Sequence, residues 1–454
     1  MRYRNKGHAQ IGPYVMDRTS IACAGPQIVT GPGLRPELPG NHTPVPQAQR
    51  SRNSRLRSID FLRGIAALAV VLHHAVNFDL NLPTAQWLRV IHAVLNQGCL
   101  GVPLFFVISG FCIHLTWTRN FKETGQASVQ FVKFWKRRLH RLYPPYFVML
   151  CLAMSVVAGE LIFHHVAALS DYPTPHAKWI LADFLAHVGM LHGLYPVFDE
   201  AGGNPPCWTL AREEYFYLMY FILLAVRRRW GLACTITLPL ALGIVFQAAV
   251  FMVLPTHSTM FLPAGYSWWE VLNTSAIVLW IQWALGMVAV EAHYGLVKLP
   301  RAFSSIWLVP VWIICAHECD IHQANHLSIL SPLCWGMVFF TILNYVTALE
   351  RGHRWPEYRW VSWLSGVGVF SYSLYLVHHP VRNLLRNIIT SHVNTANPYT
   401  YMLVTIFLAV AGFYAAKVYF HFVESKFINR PRPDTQPVRS PGTVGPTTPA
   451  GVNQ

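Results

Sequence analysis

Long apolar runs separated by short basic loops form the pattern of this chain. A helix needs about 20 residues to cross a bilayer, and several runs reach that length. The candidate runs are 59–78, 97–118, 143–163, 179–196, 208–226, 231–254, 270–290, 304–318, 328–348, 362–381 and 401–421. This pattern predicts an all-α fold, a polytopic integral membrane helical bundle.

The basic residues predict how the bundle is oriented. Lys and Arg collect in the cytoplasmic loops of membrane proteins. Basic clusters in 119–142 and 227–229 therefore belong on the cytoplasmic side, as does the arginine-rich N-terminal segment. One run between these clusters must then fail to cross, and 179–196 is interrupted by an aspartate and two histidines. We expect about ten transmembrane helices plus one re-entrant or surface helix, with residues 179–207 outside.

Composition divides the chain into three parts. Residues 1–58 are rich in Pro, Gly and Arg and have no apolar run, which predicts a disordered basic cytoplasmic segment. Residues 59–429 hold the apolar runs and form the predicted transmembrane domain. Residues 430–454 are rich in Pro, Thr and Gly, which predicts a disordered cytoplasmic tail.

The overall composition supports a membrane protein. The chain is 53% hydrophobic and only 12% charged, against about 25% charged residues in soluble domains. The net charge of +15 is compatible with nucleic-acid binding, but the basic residues lie in loops between apolar runs. We therefore expect a lipid bilayer and no nucleic acid as partner. The nine cysteines show no paired framework, and we expect no metal site.

The stretch 59–79, which contains the first run, carries ionisable side chains inside an apolar helix. Such groups are costly in a membrane and usually face a polar cavity or a partner. Arg63 and His74 are eleven residues apart, about three helical turns, so they share one face about 16 Å apart. This spacing predicts a cavity that is cationic at one end and holds an imidazole further in. The alternative is that Arg63 snorkels to lipid headgroups and the histidines bond to neighbouring carbonyls.

Two other runs bring polar groups to a similar depth. WTLAREEYFYL, at 208–218, places Glu213 and Glu214 in an apolar helix, and SYSLYLVHHPV, at 371–381, carries His378. Separate polar positions that converge in depth indicate a functional cavity. The structural alternative is an Arg212–Glu214 ion pair together with histidines at helix interfaces.

A basic segment precedes the third run. FWKRRLHRLYPPYF, at 134–147, contains Arg137, Arg138 and Arg141. Arg137 and Arg141 share a helix face because they are four residues apart. The cluster is either a flank that orients the helix or a clamp for the phosphates of a donor entering from the cytoplasm.

Six segments in a fixed order carry a resemblance. They are IDFLRGIAALAVVLHH, GVPLFFVISGF, KRRLHRLYPPYF, PPCWTLAREEYFYL, SYSLYLVHHPV and FHFVESKFI. Over about residues 58–430 the chain resembles the membrane acyltransferase-3 family, which includes bacterial O-antigen and other glycan O-acetylases. The resemblance implies a ten-helix, multi-pass protein of the bacterial inner (cytoplasmic) membrane. It also implies transfer of an acyl group, usually acetyl from acetyl-CoA, to a hydroxyl of a carbohydrate, glycolipid or related acceptor.

The resemblance and the polar positions above together predict the site residues. The expected catalytic residues are His74, Glu213 and His378. The expected donor-binding residues are Arg63, Arg137, Arg138 and Arg141. The expected supporting residues are Trp208, Thr209, Glu214, Ser371 and Tyr372. A closing element of the family falls on Phe422 and Glu424.

The expected chemistry is acyl transfer from a thioester to a hydroxyl. An imidazole titrates near neutral pH and can remove the hydroxyl proton, so His74 is the expected base and Glu213 its orienting carboxylate. An acyl-enzyme on His74 is an alternative. We expect acyl-CoA as a co-substrate and no bound cofactor. Whether a separate periplasmic transfer partner is needed stays open. The rival functions are a glycan or lipid transporter (a flippase) and a membrane anchor for a partner enzyme.

Overall fold

The computed structural model describes residues 56–79, 83–164, 177–199, 202–254, 262, 267–321 and 327–428. In these ranges the regular elements are all helices, which confirms the predicted all-α bundle. The predicted N-terminal segment, except its last three residues, and the predicted tail lie outside the described residues.

The helices vary widely in length. In chain order they are α1 (Arg57–Val76), α2 (Gln86–Asn96), α3 (Gly101–Thr124), α4 (Phe131–His164), α5 (Ala177–Val188), α6 (Pro196–Asp199), α7 (Trp208–Val253), α8 (Trp268–Asn273), α9 (Ala276–His293), α10 (Val309–Ile321), α11 (Ser331–Arg351), α12 (Arg359–Val369), α13 (Ser371–Thr390) and α14 (Pro398–Phe422). Among the described residues, seven helical stretches are long and apolar enough to cross a membrane, or eight if the bent pair α12 and α13 forms one span. The count of ten stays a prediction.

Helix α7 is a hairpin of two helical arms. A straight helix of its 46 residues would be about 69 Å long, more than twice the thickness of the bilayer core. Gly231 interrupts it with φ 82° and ψ −170°, a conformation that favours glycine. Both arms return to one place, because Arg212 Nε donates to Thr274 O and Gln247 Nε2 donates to Asn273 Oδ1. The arginine-rich stretch before Gly231 therefore lies at the tip of the hairpin.

The run that was predicted not to cross forms a cap over the start of α7. Helix α5 has 12 residues, about 18 Å, too short for a bilayer core of about 30 Å. The chain then turns through α6, where Asp199 accepts two bonds from Arg212, at 2.7 and 3.1 Å. Arg212 also donates to Gly193 O at 3.1 Å. The alternative Arg212–Glu214 ion pair is therefore wrong.

Helices α3 and α9 pack with their backbones in close approach. A Cβ atom at Gly110 would lie 2.0 Å from Trp283 O, and one at Gly286 would lie 2.0 Å from Val107 O. Small residues allow this kind of approach between membrane helices. The contact fixes the face of α3 that becomes one wall of the candidate site.

Helix α1 is the central element of the bundle. It packs against α3, α11, α12, α13 and α14. Helix α13 runs beside it in the same direction, since Arg63 Nε donates to Ser371 Oγ at 3.2 Å and the His74 ring lies 5.1 Å from the His378 ring. Because the two helices run in the same direction, the polar positions of two distant segments lie at matching depths.

We predict that the cap and the tip of the α7 hairpin lie on opposite sides of the membrane. In a cysteine-free background, a cysteine replacing Leu194, which is 59% exposed, should react with an impermeant maleimide from outside. A cysteine replacing Trp230, 64% exposed, is the matched control and should react only after permeabilisation. Labelling of the Leu194→Cys variant only after permeabilisation would contradict the predicted orientation.

Candidate functional site

A cavity of about 120 Å³ lies among α1, α3, α4, α7 and α13. We refer to it as the inner cavity. It gathers many of the predicted site residues from segments far apart in the chain. Those that line it are Arg63, Arg138, Arg141, Thr209, Glu213, Ser371 and Tyr372. The structure therefore brings together most of the predicted donor and supporting residues, and one predicted catalytic residue.

A second space of about 360 Å³ lies beside the loop between α3 and α4. We refer to it as the basic basin, because Lys133, Arg137, Arg138 and Arg141 line it. Ile113, Arg138 and Arg141 line both the basic basin and the inner cavity. A cationic compartment on the predicted cytoplasmic side is thus adjacent to a smaller compartment deeper in the bundle.

The arginines at the inner cavity form no direct ion pair with a carboxylate of the described residues. Arg138 lies with its guanidinium carbon 5.7 Å from the ring centre of Phe134 and 5.9 Å from that of Tyr217. In the described part of the chain, no carboxylate forms an ion pair with Arg63, Arg138 or Arg141. Their charge is therefore available to an anionic ligand.

Glu213 is a carboxylate held through one of its two oxygens. Its Oε1 accepts bonds from Ser109 Oγ at 2.6 Å and from Tyr217 OH at 2.5 Å. Trp283 Nε1 in turn donates to Ser109 Oγ at 3.2 Å. Among the described residues Oε2 has no hydrogen-bond partner. Sequence reasoning missed Ser109 and Tyr217, although the polar Ser109 in the apolar run of α3 was a usable signal.

Two other site residues predicted on α7, Glu214 and Trp208, do not line the inner cavity. Glu214 has no hydrogen-bond or ion-pair partner in the described ranges, and it does not line the cavity. Trp208 lies under the Arg212 guanidinium, whose carbon is 5.5 Å from the ring centre. Trp208 therefore belongs to the corner where Arg212 binds Asp199.

A cluster of histidines lies where α1 meets α13. The His74 ring centre is 4.9 Å from that of His73 and 5.1 Å from those of both His378 and His379. His378 Nδ1–H donates to Leu374 O at 2.9 Å, and its Nε2 is buried without a partner. No described residue forms a hydrogen bond with either ring nitrogen of His74. No group of three or more His, Cys, Asp or Glu side chains in the described ranges is arranged to hold a metal ion.

Tyr375 lies between the histidine cluster and the inner cavity. It lines the cavity, and its ring centre is 5.9 Å from that of His378. Its hydroxyl donates to Pro206 O at 2.7 Å and lies 2.6 Å from Thr209 Oγ1. The expected hydrogen bond between His74 and Glu213 is not formed, and the two catalytic candidates lie on different sides of this tyrosine.

The start of α13 is anchored from two directions. Glu424 Oε2 accepts bonds from the backbone N–H of Ser373, at 3.0 Å, and from the Ser373 hydroxyl. Tyr372 OH donates to Leu142 O of α4 at 2.8 Å. Glu424 thus has a positioning role, whereas Phe422 is 62% exposed.

The cap also holds a buried polar chain that ends at α7. His187 Nδ1 lies 2.8 Å from Asp183 Oδ1, and the His187 ring stacks on His192 with centres 3.9 Å apart. Burial, reinforced by the neighbouring His187, lowers the pKa of His192 well below its ordinary value. Neutral His192 then donates from Nε2 to Cys207 O at 3.1 Å, immediately before Trp208.

Comparison with known proteins gives a consistent assignment. Residues 56–418 match the model of the family described as "Acyltransferase domain". The chain is 24% identical over 392 residues to "Peptidoglycan O-acetyltransferase OatA" of Listeria monocytogenes, covering 81% of this chain and 55% of that protein. It is 29% identical over 358 residues to "Putative membrane-bound transacylase BcsY" of Komagataeibacter xylinus, covering 76% of this chain and 78% of that protein. No solved structure matches.

The family match covers most of the chain and nearly all of the helices described above. The chain spans about half the length of the Listeria relative, so the likeness concerns the membrane portion described here. Since residues 56–418 match its model, the chain belongs to the Acyltransferase domain family.

Proposed function

We propose that this multi-pass membrane protein is an O-acyltransferase. It takes an acyl group, most simply acetyl, from acyl-CoA on the cytoplasmic side and passes it to a hydroxyl of a carbohydrate or glycolipid on the outer side of a bacterial inner membrane. The observation that carries the proposal is the shared lining of the basic basin and the inner cavity by Arg138 and Arg141. The printed name of the Listeria relative supports a glycan acceptor and an acetyl group.

The donor end of the site suits coenzyme A. Its phosphates lie at one end and its thioester at the other, so the molecule needs a cationic entrance followed by a narrow path. Guanidinium groups bind phosphate through charge-assisted, often bidentate bonds, and Arg137 and Arg138 line the basic basin. The pantetheine arm would pass Arg141 into the inner cavity. There Oε2 of Glu213 can accept a hydrogen bond from an amide of that arm.

His74 is the proposed general base for the acceptor hydroxyl. Its ring nitrogens have no hydrogen-bond partners among the described residues, so either can bind a substrate hydroxyl. The neighbouring His378, whose ring centre lies 5.1 Å from that of His74, donates from Nδ1 to a carbonyl, so its Nε2 carries a lone pair. That lone pair can orient His74, a role that the sequence assigned to Glu213.

We predict that His74→Ala lowers acyl transfer by about 100-fold or more, since general-base catalysis contributes about 10²–10⁴-fold. Acetyl-CoA affinity, measured by titration of the purified protein, should stay within about threefold of wild type, since His74 lies outside the inner cavity. His392→Ala is the control, because this histidine is exposed on the same predicted side. Acceptor movement without acyl-CoA consumption in the wild type would instead indicate a transporter.

We predict that Arg141→Ala weakens acetyl-CoA binding by about 10–100-fold, the range for losing a hydrogen bond to a charged group. Arg141→Lys should restore part of the affinity, because lysine keeps the charge but not the planar fork. Arg301→Ala, at an exposed position in a predicted cytoplasmic loop, should bind donor normally. Unchanged binding by both Arg141 variants would mean that the arginine only orients its helix.

A further inference from the structure

Two arginines occupy an unusual place at the outer end of α13. Arg382 and Arg386 are four residues apart, so they share one face of the helix. They follow the histidines of the same helix and lie on the predicted outer side, where basic residues are depleted. Helix dipoles favour cations in a last turn, but the last turn of α13 contains no basic residue. Orientation and helix capping therefore do not explain this pair.

Arg382 is connected to the proposed base through one side chain. Its Nη1 lies 3.2 Å from His379 Nε2, and the His379 ring centre lies 5.1 Å from that of His74. Arg382 also donates to Asn383 Oδ1 at 2.8 Å and to Asn77 O, at the end of α1. All of these partners are neutral.

Among the described residues, the two partly buried arginines lack the anionic partners that Arg212 and Arg227 have. Arg212 binds Asp199, and Arg227 binds Glu291 through bonds of 2.6 to 3.1 Å. In the described part of the chain, neither Arg382 nor Arg386 forms an ion pair with a carboxylate. The Nε atoms of both are buried and have no hydrogen-bond partner among the described residues. Unsatisfied buried donors carry a free-energy cost, so they usually have a partner, which a ligand can supply.

We propose that Arg382 and Arg386 form an oxyanion-binding subsite for a phosphate or carboxylate carried by the glycan acceptor. This inference rests on the proposed function, because it assigns the acceptor class of that same site. An anionic group held by the two guanidinium groups would place the rest of the acceptor beside His379 and His74. The acceptor hydroxyl would then reach His74 from the outer side, opposite the donor.

The first test measures anion binding without acyl transfer. The purified protein, in a nonionic detergent with excess coenzyme A to fill the basic basin, is titrated with inorganic phosphate and followed by ³¹P line broadening. Wild type should bind phosphate, and Arg386→Gln should weaken this binding by about tenfold or more. Arg386→Lys should restore part of it. Arg89→Gln removes an exposed cation of α2 on the same predicted side and should behave as wild type.

The same titration can overturn the subsite. Absence of phosphate binding to wild type in the presence of coenzyme A would do so. Equal loss in the Arg89→Gln and Arg386→Gln variants would also do so, because it would indicate a general effect of surface charge. The Arg386 side chain forms no hydrogen bond with a described residue, so its substitution removes no bond that holds the fold. Substitution of Arg382 would also remove a bond to the end of α1.

The second test identifies the source of the anion. Membrane extracts incubated with labelled acetyl-CoA should yield a labelled product of negative charge. Carbodiimide coupling should neutralise a carboxylate, and phosphatase or mild acid should release a phosphate. A neutral labelled product would overturn the assignment to the acceptor, leaving a lipid headgroup as the ligand. No labelled product, with phosphate binding intact, would contradict the proposed acyl transfer but not the oxyanion subsite.

Discussion

The cost of placing arginine inside a membrane is the constraint on which this structure depends. A charged side chain at the centre of a membrane helix costs about 2.5–3.5 kcal/mol on insertion scales, so it must face a cavity or a partner. Arg63 on α1 and Arg141 on α4 both turn toward the inner cavity. Helices that supply a wall to this cavity therefore have to assemble around α1, and the proposed donor path depends on that assembly.

Polar bonds between distant segments hold the wall in place. The hydroxyl of Tyr372 ties α13 to the Leu142 carbonyl of α4, close to Pro144 and Pro145, which interrupt the backbone bonding of that helix. Tyr375 ties the same helix to the start of α7 through Thr209. Each bond joins segments far apart in sequence, so the cavity forms only when the whole bundle is packed.

The sequence predicted those features that depend on local periodicity and charge. The shared face of Arg63 and His74 follows from helix geometry, and the arginines of α4 follow from their spacing. The short run that caps α7 was predicted from its interrupted hydrophobicity and from the basic loops around it. These signals lie within single segments, where the number of residues per turn determines which side chains are neighbours.

The sequence could not predict which side chains from different segments bond to one another. Asp199 as the partner of Arg212 was missed, because the choice among nearby carboxylates depends on how the cap folds back. The role of the buried Glu291 was also missed. Its carboxylate accepts from Arg227 and lies 3.1 Å from His114 Nε2. The separation of His74 from Glu213 by Tyr375 depends on side-chain packing at the junction of three helices, which helix periodicity does not determine.

The central claim is that donor and acceptor reach one site from opposite sides of the membrane. The most direct measurement uses proteoliposomes in which the tip of the α7 hairpin faces the external medium and the acceptor glycan is enclosed. Labelled acetyl-CoA added outside should acetylate the enclosed acceptor, and His74→Ala should abolish that transfer. Acetylation only when donor and acceptor share one compartment would contradict the two-sided site.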